Sequence, residues 1–209
     1  MVINRFGNVE NVHRVLATCL KDGNIQISSI YSILSHPSAT VTWSNTVWGG
    51  LHYPKHSLIM WLAVLSRLLT KDRLCRMKIL DASQNWCVLC IGSVNRPESK
   101  KHLFFECQFS GFVWNEMMEW LGFTWRSCDW DHVMNWFCNN MRGLGFIKKM
   151  KRMVLSATIY WIWKERNSRI FQQKCRSPDQ IVREVKLSVL MKVLHEDIPD
   201  HLREKVERL

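Results

Sequence analysis

The stretch Cys87-Val88-Leu89-Cys90, followed after eleven residues by His102-Leu103-Phe104-Phe105-Glu106-Cys107, decides how the rest of the chain is read. Its spacing is Cys-x2-Cys-x11-His-x4-Cys. Two cysteines separated by two residues fit a tight knuckle that points both sulfurs at one ion, and Cys3His is a common tetrahedral zinc set. Lys100 to Cys107 can form one to two helical turns that bring the imidazole and the last thiolate round together. With Cys87, Cys90, His102 and Cys107 as ligands, the protein fills all four positions. One Zn2+ held this way is structural, because a catalytic zinc keeps a position for water.

Around this core lie Trp48, Pro54-Lys55-His56-Ser57, Trp61-Leu62, Arg67-Leu68-Leu69-Thr70-Lys71-Asp72-Arg73-Leu74 and Trp114, in that order. Together with the Cys/His string they resemble the zinc-binding domain located after the reverse transcriptase in plant non-LTR (LINE-type) retroelements. The resemblance spans roughly residues 20 to 120 and continues more weakly to about 172, where Trp161-Ile162-Trp163-Lys164-Glu165-Arg166-Asn167 is similar to the segment downstream of that domain. It implies a zinc-binding module associated with nucleic acid and with a reverse transcriptase or another retroelement protein. It does not imply activity, since the polymerase is a separate domain. The chain is similar to one piece of such a polyprotein, either a degraded copy or a small retained gene.

The composition is compatible with that reading. The chain has 209 residues, 47% of them hydrophobic, with 11 tryptophans, enough for a substantial core. Its formal net charge is +11; zinc with three thiolates contributes 2 − 3 = −1 and leaves about +10. That balance favours RNA or DNA as partner. Met1 to Gly7 lacks the pattern of a secretory signal. The eight cysteines are therefore expected as thiols or metal ligands in a reducing intracellular compartment, the nucleus included. The longest apolar run, Met153 to Trp163, is too short to span a bilayer, and no small-molecule substrate is indicated.

The expected fold is mainly α: a small zinc-stabilised helical domain with a short N-terminal β-hairpin and a C-terminal helical extension. Residues 1–28 hold a weak helix signal over 9–20 and then the hairpin, closing at Asp22-Gly23. Residues 29–122 form the reverse-transcriptase-type zinc-binding domain, and 123–209 the extension. A Ser-capped short helix runs to Leu34. Pro54 opens a core helix in which Leu58, Trp61, Leu62, Leu65 and Leu69 recur at helical spacing. Thr70 caps a helix over 71–77 and Ser99 caps the ligand helix. Phe109, Phe112, Val113, Met117, Trp120 and Leu121 mark a helix that stops at Gly122. Residues 123 to 145 read as irregular. Phe146 to Phe171 is the longest helix, and Pro178 opens a last one to about Leu194, with Ile181, Val182, Val185, Val189 and Val193 inward.

Lys71, Arg73 and Arg76 cluster at one helix junction; Lys148, Lys149, Lys151 and Arg152 cluster at the start of the long helix. These are the candidate phosphate contacts, the alternative being solvated helix faces. Tryptophans interleaved with basic residues over 161–169 either stack bases or pack on the zinc domain. Phe104 and Phe105 are expected to pack. Cys128, His132 and Cys138 lack a fourth partner and a familiar spacing, so they are not counted as a second metal site. No Tyr/Phe-x-Asp-Asp, phosphate-loop, His-Glu-x-x-His or Gly-x-Ser-x-Gly string occurs, and no enzymatic activity is expected. Two readings stand: a module binding RNA or DNA through backbone charge, and a structural or protein-interaction module that braced the polymerase.

Overall fold

Ile181, Val182, Val185, Val189 and Val193 repeat at three- and four-residue spacing, and each is buried in a computed structural model of the chain. The structure describes residues 9–21, 24–34, 41–90, 96–124 and 129–196. Two compact units divide the chain, Met1–Val41 and Thr42–Leu209.

In the first unit, helix α1 (Val9–Ala17) leads into strands β1 (Leu20–Lys21) and β2 (Asn24–Ile25) and then α2 (Ile27–Leu34). The strands pair antiparallel, Leu20 with Ile25 and Lys21 with Asn24. This is the expected hairpin; its turn residues lie outside the described ones. The second unit holds α3 (Ser44–Trp48), α4 (Pro54–Val64), α5 (Lys71–Arg76), a π-helical turn (His102–Glu106), α6 (Gln108–Trp120), α7 (Trp130–Asn140), α8 (Phe146–Phe171) and α9 (Pro178–Leu194). The chain is mainly helical, as its sequence periodicity indicates.

Helix α8 is the axis of this unit. It packs against α9 on one side and α4 on another, while α6 contacts both α8 and α9. One buried cluster runs from Val47 and Met60 through Phe104, Phe109 and Trp114 to Phe137, Ile159 and Val189. Residues on both sides of 122 therefore contribute to the same core. Ser177 opens α9 with a reciprocal cap: its hydroxyl accepts from the Gln180 amide at 3.2 Å, and Gln180 Oε1 accepts from the Ser177 amide at 2.8 Å.

The structure corrects two expectations. The stretch 123–145 is not irregular, because Trp130, Val133, Met134, Phe137 and Cys138 form the buried face of α7. Asp129 caps that helix by accepting from the His132 amide at 2.8 Å. Helix α4 stops at Val64, short of Leu69. There Ser66 takes a left-handed φ of 54°, and the Arg67 amide donates back to the Leu62 carbonyl at 2.7 Å. That is a C-terminal cap made without the usual glycine. The face of α4 that goes inside is His56, Ser57, Met60 and Ala63, while Leu58 remains 46% exposed. Where Gly122 does stand, with φ 70°, α6 ends as the sequence indicates.

Candidate metal centre

The knuckle is set on a short antiparallel ladder. The Cys87 amide donates to the Arg96 carbonyl at 2.9 Å and the Glu98 amide to the Asn85 carbonyl at 2.8 Å, which pairs residues 85–87 with 96–98. Amides of Leu89 and Cys90 face the Cys87 sulfur, and that of Arg96 faces Cys90. Ser99 caps the second half, accepting from the His102 amide at 3.1 Å. There the helix widens: the Cys107 amide reaches back five residues to the His102 carbonyl at 2.8 Å. In an α-helix, five residues at about 100° each would leave these two side chains about 140° apart. The π turn brings them to one side. Cys107 then stands at the N-terminus of α6, where the Phe109 and Ser110 amides face its sulfur.

Donor atoms of Cys87, Cys90, His102 and Cys107 all lie within 4.8 Å of one another. Cys90 Sγ is 3.2 Å from His102 Nε2 and 4.0 Å from Cys107 Sγ. Zinc–sulfur bonds of about 2.3 Å at tetrahedral angles need edges of about 3.8 Å, so the donor set fits one zinc ion. The electrostatics fit it too. The Cys87 thiol is pushed up, first by its hydrogen bond to Cys107 and then by burial. Burial raises Cys90 as well, while Cys107 is lowered as the acceptor from Cys87. Burial lowers His102 toward the neutral imidazole that binds metal. A dication supplies the charge that lets all three thiols ionise together. Phe104 and Phe105 pack behind this turn as expected: Phe105 stacks on Trp114 at 5.1 Å, and both phenylalanines are buried.

Helix α8 reaches the knuckle through charged residues to which sequence reasoning assigns no role or a place on the surface. Arg169 donates to the Val88 carbonyl at 3.1 Å, between the two knuckle cysteines. Glu98, fully buried, pairs with Arg166 at 2.7 Å and accepts from the Lys71 amide at 2.8 Å. Glu165 accepts from Arg169 and from Arg176. Burial alone would raise its carboxyl, but those donors outweigh it and hold it low. The signal available in sequence is the i,i+4 spacing of Glu165 and Arg169.

Most of the candidate phosphate contacts have partners within the protein. Lys71 Nζ donates to the Trp86 carbonyl at 2.8 Å, Arg73 to the Ser66 carbonyl at 3.3 Å, and Arg76 pairs with Asp72 at 3.2 Å. Lys151 lies over the Phe123 ring at 4.2 Å. Lys148 is exposed and Lys149 half-buried. Arg152 is not a surface residue: it is 3% exposed and donates to the carbonyls of Met141, Gly143 and Gly49. It ties the segment after α3 to the one between α7 and α8, so the expectation that it meets phosphate is corrected. Of the three residues weighed as a second metal site, Cys128 lies outside the described residues and the buried Cys138 sulfur accepts from the Thr46 hydroxyl at 3.4 Å.

A Cys3His donor set seated on a ladder, with its second half on a widened helical turn, is an arrangement that could hold one zinc ion. Residues 26–114 match the family described as zinc-binding in reverse transcriptase. The matched segment contains all four donors and ends within α6; α7, α8 and α9 lie beyond it. No curated protein and no solved structure matches the chain. No helix among the described residues is long and apolar enough to cross a membrane.

Proposed function

We propose that Cys87, Cys90, His102 and Cys107 bind one structural zinc, and that the module binds RNA or DNA without sequence preference through its basic surface. It has no catalytic activity of its own in this reading. The observation that carries it is the convergence of four donors, all supplied by the protein, inside the segment that matches the reverse-transcriptase family. With no ligand position left for water, such a zinc organises the fold and does not activate a nucleophile. The plant LINE-type origin and an intracellular, reducing location belong to the same proposal.

Elemental analysis of the purified chain should give one zinc per molecule, and Cys107→Ser should lose it together with the thermal stability of the 87–107 region. A folded wild-type chain without zinc, or a variant with unchanged zinc and melting temperature, would sink the metal assignment. Nucleic-acid binding should weaken steeply between roughly 50 and 200 mM salt.

A second reading, an interface that braced the polymerase, draws on the outward face of α4. Leu58 is exposed there, Trp61 is half-buried, Trp48 leans on Trp61 at 6.2 Å, and Leu69 is exposed beyond the end of the helix. An apolar interface of that kind would be nearly insensitive to salt.

A further inference from the structure

We propose that single-stranded RNA or DNA is held on a platform formed by Tyr53 and Tyr160, with Lys55 and Lys164 taking the flanking phosphates. This rests on the nucleic-acid reading above and gives it a site different from the basic clusters picked out in the sequence. Tyr53 stands just before α4 and Tyr160 in the middle of α8. His56, 1% exposed, contacts both, its ring 4.9 Å from Tyr53 and 4.3 Å from Tyr160. The three rings form one aromatic cluster in which both tyrosines remain partly exposed. Two lysines border it. Lys55 Nζ lies 5.4 Å from the Tyr160 ring and 6.0 Å from the Tyr53 ring. Lys164 Nζ lies 4.0 Å from the Trp161 ring, which meets Tyr160 edge-on at 5.7 Å.

What separates these lysines from Lys71, Arg73, Arg76 and Arg152 is how they are engaged. Lys71 and Arg73 donate to backbone carbonyls, Arg76 pairs with Asp72, and Arg152 is buried. Lys55 and Lys164 are both exposed, and neither has an ion pair or hydrogen bond among the described residues; each rests on an aromatic face instead. Burial, and then Arg176, lowers the Lys164 pKa, with Glu184 opposing and Lys55 adding to the lowering. Uncompensated cations beside aromatic faces match the chemistry of a single strand. Every base has a π face to stack, stacking is sequence-tolerant, and flanking phosphates neutralise the cations. A duplex keeps its bases stacked on one another and cannot use the rings.

The test uses the full zinc-loaded chain and a labelled 12-nucleotide oligo(U) or oligo(dT), with binding measured across a salt titration. Lys55→Ala/Lys164→Ala should weaken binding about tenfold and flatten the log–log salt slope by about 1.4, the sum for two single-strand phosphates. Tyr160→Leu should weaken binding about fivefold or more, and Tyr160→Phe should bind like wild type. Zinc content and circular dichroism establish that each variant is folded, and Tyr53→Leu substitutes for Tyr160→Leu if that chain does not fold. Unchanged affinity and slope in the double-lysine variant would overturn the site while leaving the nucleic-acid reading standing. Equal affinity for a 12-base-pair duplex would overturn the stacking. A wild-type chain that binds no oligonucleotide at about 50 mM salt would overturn the nucleic-acid reading itself.

Discussion

At the scale of single residues, the most consequential groups are those buried with a polar or charged end. His56 contacts two tyrosines, and burial, then Lys55 and Lys164, lower its pKa to about 3. It is therefore neutral in the folded chain, whereas an unfolded chain takes up a proton below about pH 6.5. The unfolded state then binds more protons as pH falls, so folding stability should decline progressively from about pH 6.5 toward pH 3. Denaturant titrations at pH 7 and pH 5 should show a smaller loss for His56→Phe than for wild type, both with zinc saturated; equal losses would mean that His56 does not carry the effect. The Glu98–Arg166 pair gives a second expectation. Arg166→Met strands a buried carboxylate and should cost about 3–5 kcal/mol, and Glu98→Met/Arg166→Met should cost clearly less than the two single changes added. Strict additivity in that cycle would contradict the contact. Neither residue stands out in the sequence, because a Glu and an Arg 68 positions apart carry no local sign of pairing.

At the scale of elements, α9 and α8 are legible in the sequence because an apolar face buried against one neighbour leaves a clean 3.6-residue period. Ile181→Ala should cost about 2–5 kcal/mol, since that side chain is fully buried, and Leu187→Ala on the outward face should stay within about 0.5 kcal/mol. Chemical denaturation of both variants checks the orientation of α9, and the reverse ranking would mean that the helix is rotated. Helix α4 is less legible. Apolar residues lie on all its sides, so periodicity cannot say which face goes in, and the structure buries His56 and Ser57 in preference to Leu58. The Ser57 hydroxyl donates to the Val47 carbonyl at 2.7 Å, which explains how a polar residue is accommodated there. Helix α7 escapes the sequence reading although its period is regular; its cysteine and histidine draw attention to metal chemistry and away from the Trp130–Val133–Phe137 face.

At the scale of the whole molecule, the family-matched segment and the helices beyond it share a core. Arg169 on the Val88 carbonyl and Arg166 on Glu98 connect α8 directly to the knuckle and to the start of α5. A chain ending at residue 122 loses α8 and α9, the partners of α4 and α6. It should melt without a cooperative transition and bind a hydrophobic dye even with zinc present; a cooperative melt at the full chain's temperature would show the segment to be self-sufficient. The sequence by itself determined the donor set, the helical class, the hairpin and the bounds of α8 and α9. Those rest on local rules: ligand spacing, capping and periodicity act over a few residues. Only the tertiary structure decided which cations are free to meet a partner. Lys71, Arg73 and Arg152 are drawn to carbonyls and Arg166 to a buried carboxylate, while Lys55 and Lys164 lie over rings. A charge's availability depends on what the fold places within about 3–4 Å of it, and most of those neighbours are far away in the chain.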